Sequence, residues 1–148
     1  ITDSIRDLRA LAVELRPTAL DDFGLGPALE RLIETYARRT GLDLDVHVAH
    51  LDPRLPEAVE TALFRVVQEA LTNIAKHAGA TRVSVVVRRV ADRVTLNVED
   101  DGRGFDVESP SAGLGLVSMR ERAELLGGRL RLESSADRGT TIAIEIPT

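Results

Sequence analysis

Glu69, Asn73, Lys76 and His77 stand close together in the segment EALTNIAKHA. On a helix turning about 100° per residue, Asn73 falls about 40° round from Glu69, Lys76 about 20° the other way and His77 about 80°. Val59, Leu63, Val67, Ala70 and Ile74 mark the apolar face of the same helix, so these polar groups share a stripe beside buried surface. Their chemistry suits a metal-bound polyphosphate. An Asn oxygen is a hard ligand for Mg²⁺, which usually keeps several waters; a Glu can hold one of those waters or accept a proton; a Lys offsets phosphate charge. A solvated stripe of ordinary charges uses the same residue types, and taken alone this helix favours that plainer reading.

Two further stretches carry chemistry. In VEDDGRGF a strand pattern, with Val94, Leu96 and Val98 in alternation, runs into Asp100, Asp101, Gly102, Arg103 and Gly104. An Asp there can accept a hydrogen bond from an exocyclic amine such as that of adenine, and the glycines let another group approach the backbone. Asp-Gly also marks ordinary tight turns. In SAGLGLVSMRERAELLGG, Ser118 and Glu121 fit a capping box, which predicts a helix starting near Ser118, with Leu116, Met119, Ala123 and Leu126 buried. The preceding GLGL would then deliver backbone N–H groups at a helix N-terminus, where anions bind. Between Gly104 and Gly113 the polar stretch FDVESPSA has no periodicity and reads as a lid. There is no G-x-x-x-x-G-K-[ST] loop, and GLGLVS lacks the third glycine and the preceding strand of a dinucleotide fingerprint.

The elements that must position these groups follow from periodicity. Ile1, Ile5, Leu8, Ala12 and Leu15 form a short apolar seam, fitting a bundle or an ordinary amphipathic helix, that ends at Arg16-Pro17. After a linker, Pro27 opens a helix whose stripe is Leu29, Leu32, Ile33 and Tyr36 and whose end is Gly41. LDLDVHVA alternates, with Asp43, Asp45 and His47 on the solvent side. A helix over roughly residues 57–77 follows, then strands in RVSVVVR, VTLNVED, GRLRLES and TTIAIEIP. This order predicts an α/β two-layer sandwich, a mixed sheet with helices on one face, preceded by a short bundle-type helix. The expected division is residues 1–16 as the end of a dimerisation hairpin helix, 17–26 as linker and 27–148 as the main domain.

The totals bound what such a domain can do. With 148 residues it can bury a core, and with three Phe, one Tyr and no Trp that core must be aliphatic. A net charge of −5 offers no global field for nucleic acid or an anionic membrane. The absence of cysteine excludes disulfides and thiolate chemistry and fits a cytoplasmic chain. No apolar run approaches the ~20 residues of a membrane span. Ile1 in place of Met is what a piece of a longer protein would show.

Taken in order, Glu69-x-x-x-Asn73, Asp100-x-Gly102-x-Gly104, Gly113-x-Gly115-Leu116 and Gly139-Thr140 resemble the GHKL ATP-binding fold. LRPTALDDFGLGPALERL, EALTNIAKHA and GLGLVSMRERAELLGG look like the nitrate-sensor and desaturase-sensor group of two-component histidine kinases. The resemblance implies ATP and Mg²⁺ as ligands. It makes Asn73 the metal ligand, with Glu69 assisting the metal or its water, Lys76 near the phosphates and His77 lining the same region. Asp100 would take the adenine amine, partly through a water shared with Thr140, with Gly102 and Gly104 shaping that side. Gly113, Gly115 and Leu116 would bring the lid and the helix start to the phosphates. Asp101 stands where the family often has Asn.

The resemblance also implies phosphoryl transfer to a His on a dimerisation helix, then to a response regulator, in a parent that is a homodimer. A GHKL ATPase, an anti-sigma-type serine kinase and a degenerate regulatory module remain alternatives. This chain has no His before His47, so it lacks the expected acceptor. Incubated alone with labelled ATP, it should take up no stable phosphohistidine; acid-labile label retained on the purified chain would contradict this.

Overall fold

The computed structural model describes residues 17–49, 51–103, 114–135 and 138–148. The helix expected over residues 1–16 and the FDVESPSA loop lie outside them. The described elements are α1 (Thr18–Phe23), α2 (Leu25–Thr40), β1 (Asp43–Ala49), α3 (Glu57–Asn73), β2 (Arg82–Val90), β3 (Arg93–Asp100), α4 (Leu114–Leu125), β4 (Arg129–Ser135) and β5 (Gly139–Pro147). A π-helical turn, Ile74–Ala78, continues α3. The strands form one mixed sheet in the order β1-β2-β3-β5-β4, with β1 parallel to β2 and every other pair antiparallel.

Period-two alternation assigns the two faces of this sheet. Val83, Val85 and Val87 of β2, Val94, Leu96 and Val98 of β3, and Ile142, Ile144 and Ile146 of β5 are buried under the helices. Ser84, Thr95, Asn97, Glu99 and Glu145 alternate with them on the open face, where Arg93 pairs with Glu145. The core is continuous and aliphatic apart from Phe64 and Met119, as the scarcity of aromatics requires. α3 fills its centre: Val59, Ala62, Leu63, Val66, Val67, Ala70 and Leu71 are all buried.

Helix ends follow local chemistry. α2 stops at Gly41, which is left-handed and returns its N–H to the Ala37 carbonyl. α4 ends in a Schellman arrangement: Gly128 N–H reaches the Ala123 carbonyl at 2.8 Å and Gly127 N–H the Glu124 carbonyl at 3.0 Å. Its start departs from expectation. The helix begins at Leu114, so Ser118 lies exposed inside it and caps nothing. The capping-box pattern matched by residue type alone.

A second departure concerns residues 17–26. Where a linker is expected, Thr18–Phe23 is helical, and α2 starts at Leu25, two residues before Pro27. Leu20 is fully buried in the common core. Its carbonyl accepts a 2.7 Å bond from Arg54, and the same guanidinium pairs at 2.9 Å with Glu60, whose side chain is buried in the first turn of α3. A charge so enclosed needs its partner, and the pair ties α1 to α3.

Asp101 makes a comparable tie at the other end of the sheet. Its carboxylate accepts Thr81 N–H at 2.8 Å, Arg82 N–H at 2.9 Å and the Thr81 hydroxyl at 2.7 Å. The side chain therefore fastens the end of β3 to the start of β2. These bonds, Arg82 N–H foremost, lower its pKa from 3.8 to about 2.

Leu20→Ala should lower unfolding free energy by about 2–5 kcal/mol in urea denaturation, as for other fully buried leucines. An unchanged midpoint would mean that α1 is not part of the core. Asp101→Ala should destabilise the protein above the ordinary carboxylate pKa of 3.8. Because the folded pKa is depressed, that difference should shrink as pH falls through about 2. Stability curves of wild type and variant that stay parallel through this window would remove the tie from the account.

Candidate active site

The residues singled out by sequence fall into two groups on the helical side of the sheet, α3 packing against β3. The first group is on α3. Glu69 and Asn73, one turn apart, are both half-buried. Gly115, in the first turn of α4, lies directly over them. A Cβ there would collide with the Glu69 carboxylate and sit 3.3 Å from the Asn73 amide nitrogen. A side chain at residue 115 would have to push the Glu69 carboxylate aside, and glycine leaves it in place under the start of α4. Among the described residues neither side chain has a hydrogen-bonding partner, so carboxylate and amide remain available. Leu116 packs against the core beside them.

Lys76 departs from its expected place. α-Helical geometry ends at Asn73, and the π turn widens the helix over Ile74–Ala78, so angles counted at the α-helical pitch do not carry past residue 73. Lys76 is exposed in that turn. The side chain of His77, and Gly104 and Gly113 altogether, lie outside the described residues. At the end of the turn Gly79 is left-handed, and a Cβ on it would stand 3.2 Å from the Arg103 guanidinium. Arg103 thus rests on the helix end, a favourable place for a cation.

The second group is at the end of β3. Asp100 is half-buried and points to the helical side, in register with Thr140 of β5. Gly102 N–H donates to its Oδ1 at 2.8 Å, and Thr140 supplies a further backbone N–H. Burial pushes the Asp100 pKa up, these N–H groups oppose the rise, and the nearby Asp101 charge adds to it. Thr140 is itself buried, and its hydroxyl lies 2.8 Å from that of Ser134 on β4. Gly139 is left-handed and meets the Asp100 carbonyl so closely that any Cβ would clash with backbone. Glycine is required there on both counts. Among the described residues no hydrogen bond joins this group to the first.

The site is an acceptor carboxylate at one end and an unpartnered carboxylate-amide pair under a glycine-opened helix start at the other. No cluster of three His, Cys, Asp or Glu side chains able to cage a metal occurs among the described residues. Where β1, β2 and the end of β3 meet, a depression of about 490 Å³ is lined by Asp43, Asp45, Ser84, Glu99, Asp100 and Asp101, with Arg82 the one cation among its described lining residues. Its carboxylates disfavour a polyanion. Sequence reading missed Ser134 and the tie made by Asp101. The first is legible only once the register of β4 on β5 is known.

Residues 58–148 match the family model described as histidine kinase-, DNA gyrase B- and HSP90-like ATPase. The signal transduction histidine-protein kinase/phosphatase DegS of Brevibacillus brevis is 40% identical over 148 residues, which are 99% of this chain and 38% of that protein. The oxygen sensor histidine kinase NreB of Staphylococcus carnosus is 37% identical over 145 residues, 97% of this chain and 42% of that protein. The chain thus spans about two-fifths of the length of the curated relatives it matches. Among solved structures, the histidine kinase domain of the Erythrobacter litoralis EL346 blue-light activated histidine kinase superposes with a TM-score of 0.69 at 26% identity, over 80% of this chain and 58% of that one. The catalytic domain of histidine kinase ThkA shares the fold, with a TM-score of 0.67 at 23% identity, over 84% of this chain and 92% of that one. With the family match covering more than half of the sequence and the fold agreeing, the chain belongs to the histidine kinase-, DNA gyrase B- and HSP90-like ATPases.

Proposed function

We propose that this chain is the ATP-binding catalytic domain of a sensor histidine kinase. The observation that carries the reading is the meeting of Glu69 and Asn73 with the start of α4 at Gly115, in a chain of this family. Likeness to two sensor kinases along nearly its whole length favours kinase over ATPase chemistry.

In this reading Asp100 accepts the adenine amine, with Gly102 and Thr140 fixing its carboxylate. Asn73 would hold Mg²⁺ through its amide oxygen, and Glu69 would assist the metal or its water or accept a proton from the incoming nucleophile. Mg²⁺, when bound, offsets charge on the phosphates. Lys76 adds a positive charge at the same end; by the resemblance His77 would line that region, Gly104 would shape the adenine side, and Gly113, Gly115 and Leu116 would bring the helix start to the phosphates. Catalysis is then positioning and charge neutralisation. A bond forms between a histidine nitrogen and the γ-phosphorus as the bridging oxygen leaves with ADP. The acceptor histidine belongs to a dimerisation helix of the parent, a homodimer, and the phosphoryl group passes on to a response regulator. No helix among the described residues is long and apolar enough to cross a membrane. The domain works in the cytoplasm, without direct contact with membrane or nucleic acid.

Calorimetric titration with a non-hydrolysable ATP analogue tests this. Wild type should bind more tightly with Mg²⁺ than without. Asp100→Asn should weaken binding at least about tenfold, the loss expected for a hydrogen bond to a charged acceptor. Asn73→Ala should abolish the Mg²⁺ enhancement, and wild type should label a separately supplied histidine-bearing dimerisation domain. An Asp100→Asn protein that stays folded and binds like wild type would sink the reading.

A further inference from the structure

Asp100, Thr140 and Ser134 occupy one row across three neighbouring strands. Asp100 of β3 stands opposite Thr140 of β5, and Thr140 stands opposite Ser134 of β4. Directly opposed residues point to the same face, so all three side chains lie on the helical side. The Thr140 hydroxyl is buried and 2.8 Å from the Ser134 hydroxyl, which also lies 3.3 Å from the Gly139 carbonyl. A carbonyl only accepts. When the Ser134 proton points to Gly139, the Thr140 proton must go to Ser134 Oγ, and Thr140 offers only lone pairs to its surroundings. When Ser134 turns its proton to Thr140, the Thr140 proton is released to donate.

We propose that Ser134 is a positioning residue for nucleobase recognition: through this contact it sets the direction and donor or acceptor character of the Thr140 hydroxyl beside Asp100. The proposal rests on the adenine-binding reading above. It adds a residue that touches no ligand and reads the base through its neighbour. An adenine edge offers an amine and a ring acceptor side by side. Asp100 can only accept, so a neighbouring group that can donate completes recognition; Thr140 takes that part, directly or through a water, when Ser134 turns its proton from the Gly139 carbonyl to Thr140 Oγ1 and fixes the direction of that hydroxyl. The β4–β5 hairpin thereby takes part in base selection although its outer strand lies one strand removed from Asp100.

The test measures affinity for ATP and for inosine triphosphate, in which a carbonyl replaces the amine, on wild type, Ser134→Ala, Ser134→Thr, Thr140→Val and the Ser134→Ala/Thr140→Val double variant. Ser134→Ala should weaken ATP binding about three- to tenfold, the range for one neutral hydrogen bond, and lower the ATP-to-inosine-triphosphate selectivity. Ser134→Thr, which keeps the hydroxyl on a strand that favours Thr, should restore both. In the Thr140→Val background, Ser134→Ala should have no further effect on ATP binding. Equal weakening toward both nucleotides, or additive effects in the double variant, would assign Ser134 a merely structural role and overturn the proposal. Wild type that binds ATP while Ser134→Ala matches it removes this inference alone. Wild type that binds neither nucleotide removes the adenine-binding reading and this inference together.

Discussion

A half-buried carboxylate held as an acceptor is the constraint on which this architecture turns. Asp100 sits where burial disfavours its charge, and it keeps that position because Gly102 and Thr140 aim backbone N–H groups at it. The arrangement requires β5 beside β3 in the observed register, so that Thr140 falls opposite Asp100. It requires Gly139, since any side chain there would strike the Asp100 carbonyl. Asp101, facing the other way, anchors the same strand end to Thr81 and Arg82. Two adjacent carboxylates thus divide the work: one is kept for a partner in the pocket, and the other is spent on the fold.

α3 divides its own circumference in a similar way. Its buried residues build the middle of the core, while Glu69 and Asn73 stay at the boundary with unsatisfied hydrogen-bonding capacity. Leaving such groups unpaired is unfavourable unless water or a ligand serves them. The helix tolerates them because Gly115 brings only backbone over that spot. The π turn beyond Asn73 then re-aims the chain, which leaves Lys76 exposed as a long, flexible cation and brings Gly79 under Arg103.

Much of this was legible in the residues, for physical reasons that differ by element. The strands declared themselves because every second residue of β2, β3 and β5 must be apolar on a one-sided sheet. Glu69 and Asn73 were legible because they share a polar stripe beside the apolar face and fall in order with the Asp-Gly and GLGL motifs further along the chain. Four features were not. The helical state of residues 18–23 depends on Leu20 reaching a core built by distant segments and on Arg54 holding its carbonyl, neither of which a local pattern contains. The start of α4 was misplaced because Ser and Glu three apart suit the interior of a helix as well as its cap. The π turn that carries Lys76 has no signature in residue type, so bearings counted at the α-helical pitch stop at Asn73. Ser134 was passed over because its meaning comes from cross-strand register.

The one parallel pairing has a consequence for how the molecule assembles. β2–β3 and β4–β5 are hairpins joined by short turns, so their ends close with little loss of chain freedom. β1 reaches β2 only through a crossover that includes the whole of α3. Contacts of that span slow folding, and the crossover is favoured only after the hairpins present an apolar surface to cover. The pairing of Asp100 with Thr140 spans residues 100–140, so it belongs, like the β1–β2 crossover, to the late part of this order. Neither hairpin alone therefore holds a half of the candidate site; both halves form only when distant segments close on one another.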